Sequence, residues 1–169
     1  YLFDWEAAKE NLKAPSLILI FFSSFLCAFP WFILTTWISV YFLELHQVSS
    51  GEVVQRLMPA LIAVMIGSPV GGFLGDLYAK KRDTGRVTIV ILGLLVPALC
   101  LFMAFIIDDL ASPYFLLLII LMGFFMSFSW PNLIALIFDV SVPEVRSFIT
   151  AIVLGFQALS GVIVPALAP

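Results

Sequence analysis

The sequence predicts an all-α fold, a polytopic bundle of five membrane-spanning helices, on three observations. Of the 169 residues, 63% are hydrophobic and only 11% charged, against roughly 45–50% and about 25% in a soluble domain. With a mean hydropathy of +1.16, the chain carries more apolar surface than a water-soluble fold can hide. Second, the charges fence off five uncharged runs, 14–43, 57–75, 87–107, 110–138 and 147–169. Each matches the ~20 residues a helix needs to cross ~30 Å of hydrocarbon. Third, the runs are uniformly apolar. A membrane β-strand would be ~9–11 residues of alternating polarity, and an open backbone cannot be satisfied in lipid.

The same arithmetic excludes a soluble enzyme, a disordered chain and a nucleic-acid binder. The net charge of −3 leaves no basic excess for a phosphate backbone. Cys27 and Cys100 lie inside apolar runs and read as small buried residues rather than a disulfide or metal site. No metal or cofactor is expected.

Taken in order, residues 1–13 form an amphipathic segment with Lys9 and Lys13. The bundle occupies 14–169, with spans at about 14–43, 57–75, 87–107, 110–138 and 147–168. The connections are short, so neighbouring spans are antiparallel. A cleavable leader is not expected, because its apolar core would be ~7–15 residues and the first run is far longer. Seven of the eight Lys and Arg fall on one side: Lys9, Lys13, Lys80, Lys81, Arg82, Arg86 and Arg146, leaving only Arg56 opposite. Basic residues stay inside, so the N-terminal segment is expected in the cytoplasm. Beginning at Tyr1 and ending in an apolar run, the chain is expected to be part of a longer one.

No Asp, Glu, Lys, Arg or His falls inside a run. Intramembrane ionisable groups mark proton and ion paths, and a hydrolase needs a base beside its nucleophile, so an enzyme is not expected. His46 reads as a solvated loop residue. Each span carries prolines: Pro30, Pro59 and Pro69, Pro97, Pro131, Pro165. They either let the helices bend in function or are static kinks. Gly67, Gly71 and Gly75 recur at i, i+4, i+8, a face on which two helix backbones can approach closely.

Polar residues in the spans point to a site. Ser24, Cys27, Trp31, Thr35 and Ser39 fall on one stripe at helical spacing. The stripe either faces a water-filled cavity or bonds back to its own backbone. Ser127, Ser129, Trp130 and Asn132 cluster beside Pro131, and Gln157 sits near Ser160 and Gly161. An amide is costly to leave in lipid without a partner. The candidates for a substrate pathway are therefore Trp31, Thr35, Ser39, Trp130, Asn132 and Gln157, acting by stacking and neutral hydrogen bonding.

The stretch Gly72-Phe-Leu74-Gly-Asp76-Leu-Tyr-Ala79-Lys80-Lys81-Arg82 resembles the signature loop of the major facilitator superfamily, G-x-L-x-D-R-x-G-R-R. Leu77 and Ala79 depart from it, as in the family's more degraded second copy. Asp139-Val-Ser-Val-Pro143-Glu-Val-Arg146-Ser147 is similar to the D-x-x-x-P-E-x-R-G/S connection entering helix five or eleven. Phe29-Pro30-Trp31 and Trp37 are similar to the seventh helix of some members, and Trp5–Lys13 to the end of the central cytoplasmic linker. The resemblance implies helices seven to eleven of twelve, in one six-helix half. It implies a transporter of a small-molecule solute working by alternating access, in the lipid bilayer of the plasma membrane, with the other half as partner. It further implies signature-loop and gating roles for Gly72, Asp76, Lys80, Lys81, Arg82 and Arg146, with Asp76 latching to the Arg146 end of span five in one conformation and parting from it in another. Lys80, Lys81, Arg82 and Arg86 could equally serve topology and anionic lipid alone. The alternative function is a non-transporting membrane subunit for assembly or sensing.

Overall fold

The computed structural model describes residues 5–44, 46–107, 109 and 111–166, without the side chains of Val164 and Pro165. The proline expected in the fifth span and that span's residues 167 and 168 thus fall outside what is described. The elements are α1 (Trp5–Leu12), α2 (Pro15–Phe32), a π-helical turn (Ile33–Trp37), α3 (Ile38–Glu44), α4 (Ser50–Ala79), α5 (Gly85–Ile107), α6 (Pro113–Met126), α7 (Ser129–Val140), a 3₁₀ turn (Pro143–Val145) and α8 (Arg146–Ala166). They make five helical units long and apolar enough to cross a membrane, and no strand occurs among the described residues.

Local chemistry sets the boundaries. Pro15 opens α2 in the first turn, where its missing N–H costs nothing. Ser49 caps α4, its hydroxyl accepting from the Glu52 N–H at 3.4 Å. The chain reverses before it through Gln47, at φ 52°. At 30 residues α4 outruns its uncharged stretch. A helix of that length reaches about 45 Å, longer than the ~30 Å of hydrocarbon, so it can carry Glu52, Arg56 and Asp76 outside an apolar middle.

Two spans are interrupted, each beside a proline. Pro30 offers no N–H to the carbonyl of Leu26, and one turn later the helix widens into the π turn, where the Ile38 N–H reaches back to Ile33. Thr35 donates to the Trp31 carbonyl at 2.9 Å in the same turn. In the fourth span α6 stops at Met126 and α7 starts at Ser129. Pro131 leaves the Ser127 carbonyl without its helical donor. Ser127 Oγ turns back to Phe124 (2.7 Å) and the Phe128 N–H to Phe125 (3.0 Å). Such breaks are what proline and inserted side-chain hydrogen bonds produce in a helix. Pro59, Pro69 and Pro97 lie within unbroken helices.

The interior has two apolar cores, one toward each end. At the His46 end, Leu34, Ile38, Phe42, Leu57, Ile119 and Met122 pack together. At the Lys80 end, Leu17, Ile20, Val90, Leu133, Ile137 and Ile149 do so. The short helix α1 seals this second core. Ala8 is fully buried, and the Trp5 ring meets Phe148 edge-on at 6.0 Å. The outside is apolar as well: Leu19, Met65, Phe73, Phe102 and Ile106 are each more than 60% exposed. Only a lipid solvent tolerates such a continuous apolar exterior.

Candidate functional site

Between the two cores the helices separate around a cavity of about 460 Å³. Its place is set by the chain. In α2, residues 27–32 fall between the Leu17–Phe21 and Leu34–Phe42 core segments, and in the fourth span the wall residues run from Met126 to Leu133 across the break. Spans one, two, four and five all contribute, whereas α5 packs outside and supplies no wall residue.

Three expected pathway residues meet there: Trp31 from α2, Trp130 from α7 and Gln157 from α8. Both indoles remain substantially open, at 41% and 37% exposure. Neither indole, nor the Gln157 amide, nor the Ser68 hydroxyl makes a side-chain hydrogen bond among the described residues. Ser68 had no signal in the sequence beyond its place beside Gly67 and Pro69. Cys27 also lines the cavity, while Cys100 is buried in the core at the His46 end, and both are free thiols.

The other three stand elsewhere. Thr35 is exposed and its hydroxyl is spent on Trp31; Ser39 is half-buried and outside the wall. Thr35 lies within the π turn, and Ser39 follows it, where one extra residue in a turn has rotated the side chains by roughly 100°. Ser24 also bonds its own backbone, at Phe21 (2.7 Å). Asn132 is buried and faces α4. Its amide donates to the carbonyls of Gly71 (2.9 Å) and Phe128 (2.8 Å).

The glycine face of α4 runs along the break in span four. A Cβ on Gly67 would strike the Phe124 carbonyl and Ser127, one on Gly71 the Phe128 backbone at 2.6 Å, and one on Gly75 the Asn132 amide. Gly93 of α5 and Gly123 of α6 are hemmed in similarly, by Ser129 and the Ala60 backbone. Across the cavity, α2 and α8 are joined by Ser160 donating to the Phe25 carbonyl (2.8 Å), by stacked Phe21 and Phe156 rings (5.4 Å), and by Phe32 on Gly161.

At the Lys80 end, Arg86 bridges two carboxylates, Asp139 at 2.7 Å and Asp76 at 2.9 Å. It thereby ties the ends of α4 and α7 to the start of α5. In this conformation Asp76 pairs with Arg86 rather than with Arg146. Arg86 is near in sequence and already faces Asp76 across a short turn. The Arg146 guanidinium is committed to the last carbonyls around α7, Phe138 at 2.9 Å and Ser141 at 3.3 Å, and lies over the Phe138 ring at 5.4 Å. A cation is favoured at that helix end. Lys80, Lys81 and Arg82 are exposed and form no ion pair among the described residues; a Cβ on Gly72 would meet the Pro131 ring only at an ordinary 3.6 Å.

Searches of the curated proteins and of the solved structures return no match. The family model of the Major Facilitator Superfamily matches residues 3–165. That range takes in all five spans, the Gly72–Arg82 loop and the Asp139–Ser147 connection, so this integral membrane protein belongs to the major facilitator superfamily, a family of transporters of small molecules.

Proposed function

We propose that the chain forms most of one six-helix half of a secondary transporter, resembling the C-terminal half, and moves a small solute by alternating access. The observation that carries this reading is the cavity between the two cores. Trp31, Trp130 and Gln157 converge on it from three spans with their hydrogen-bonding groups unspent. Substrate is held there by stacking and neutral hydrogen bonds, near the bilayer midplane and between the two halves, as in other transporters of repeated architecture. The break in span four supports the assignment, because discontinuous helices are common at such sites. Asn132 acts as a positioning residue, holding α7 against α4. Arg86, Asp76 and Asp139 clamp the cytoplasmic ends, and the N-terminal segment lies in the cytoplasm at the plasma membrane.

Cys27 is a built-in reporter. In the full-length protein with every other cysteine replaced by serine, a membrane-impermeant thiol reagent should label Cys27 in both right-side-out and inside-out vesicles. Labelling from one side only, or from neither, would remove alternating access and leave a docking or sensing subunit as the better description.

A further inference from the structure

We propose that this cavity selects a neutral, flat, largely apolar solute that carries hydrogen-bond acceptors, and discriminates against polyols and ions. The inference rests on the transport reading above and adds the class of solute. Its first support is charge. Among the described residues, the wall contains no Asp, Glu, Lys, Arg or His. An ion entering it would exchange hydration for apolar side chains with no counter-ion, which is unfavourable in either sign.

The second support is the balance of donors and acceptors. Ser127 already donates to Phe124, and Ser129 is aimed at the Val90 carbonyl at 3.5 Å. Among the described wall side chains, what remains open is the indole N–H of Trp31 and of Trp130, the Ser68 hydroxyl and the Gln157 amide. An indole N–H donates and never accepts, and the Gln157 amide nitrogen adds two further donors. The open groups therefore offer more donors than acceptors, which suits ring nitrogens, carbonyls or ethers on the solute. A polyol carries an O–H on nearly every carbon and would press most of them against Val64, Met126, Leu133 and Leu154. Each such unpaired group lowers affinity by roughly tenfold.

The third support is shape. The two indoles present extended flat faces, which favour offset or edge-on contact with another ring. An organic cation could also lie on those faces, but it would meet N–H donors and no carboxylate.

The test is protection of Cys27 in the full-length protein, purified and placed in lipid nanodiscs. Four probes are compared: caffeine (neutral, flat, acceptors only), mannitol, benzoate and phenyltrimethylammonium. Caffeine should slow thiol labelling, and Trp31→Phe, which keeps an aromatic ring but removes the N–H, should weaken that protection about tenfold. Gln157→Ala should weaken it as well, with protein yield unchanged in both variants. Stronger protection by mannitol, benzoate or phenyltrimethylammonium overturns the proposal. So does protection by none of the four, or caffeine protection that neither substitution alters. These outcomes are separate from the two-sided labelling experiment, which decides transport itself: a protein labelled from both sides but protected by mannitol remains a transporter of another class of solute.

Discussion

The face that α6 and α7 turn toward α4 and α5 is packed backbone to backbone, whereas the face they turn toward α2 and α8 leaves a cavity. On the first face glycines 67, 71, 93 and 123 bring main chains together, and Gly75 receives the Asn132 amide, until no room remains for a methyl group. Polar groups there are consumed internally, as Asn132 is by Gly71 and Phe128. On the second face the side chains are large, and two indoles and a glutamine keep their hydrogen-bonding capacity open, with Ser68 of α4 at the edge of the cavity. Small residues make the tight seam and bulky ones leave the hole. Close approach depends on backbones meeting, while large side chains that do not interdigitate hold helices apart. The broken span is anchored on one side so that it can present a wall on the other.

The largest effect is expected from closing the first face to its own backbone. Gly71→Ala places a methyl group 2.6 Å from Phe128 Cα, an atom that cannot swing aside. Overpacking of this kind costs about 1–3 kcal/mol or more. The variant should lose monodisperse protein in detergent and unfold at a lower temperature. A wild-type melting curve would show that the seam is looser than this distance implies.

A smaller loss is expected for Asn132→Ala, which removes both donors that hold α7 to α4 and to its own first turn. Interhelical hydrogen bonds in membranes average near 0.6 kcal/mol and reach about 1.7, so the loss should lie in that range. It should appear as lowered thermal stability with unchanged caffeine protection of Cys27. Altered protection at full stability would move Asn132 into the cavity instead.

The smallest effect is expected where helix α8 leaves space. Gly155 has nothing within 4 Å of a built Cβ, so Gly155→Ala should be tolerated and stabilise by at most about 1 kcal/mol through helix propensity. Destabilisation there would mean that a further helix or partner chain covers this side of α8.

The fold was readable because lipid imposes one strict rule, that each backbone group be satisfied within its own helix, and charge-free runs reveal where that rule applies. The resemblance of the Gly72–Arg82 and Asp139–Ser147 segments likewise pointed to the family before any contact was known. The site was readable only in part. Trp31, Trp130 and Gln157 meet in the cavity, but strict helical periodicity also placed Thr35 and Ser39 there. That periodicity fails from the π turn at Ile33–Trp37 onward, because the turn changes the phase of the residues that follow it. Similarly, Asp76 and a basic partner could be expected from composition, yet several cations compete near that end, and reach and helix-end carbonyls choose Arg86 for Asp76 and leave Arg146 on α7.

Sequence alone therefore determined that the chain is a membrane protein with five helices long and apolar enough to span, since hydropathy and charge act residue by residue. Tertiary structure decided which face of each helix meets a neighbour, where the two cores part, and which polar groups are left unspent. Those outcomes depend on the angular phase of one helix against another, which a proline-induced turn can shift without changing a single residue's chemistry.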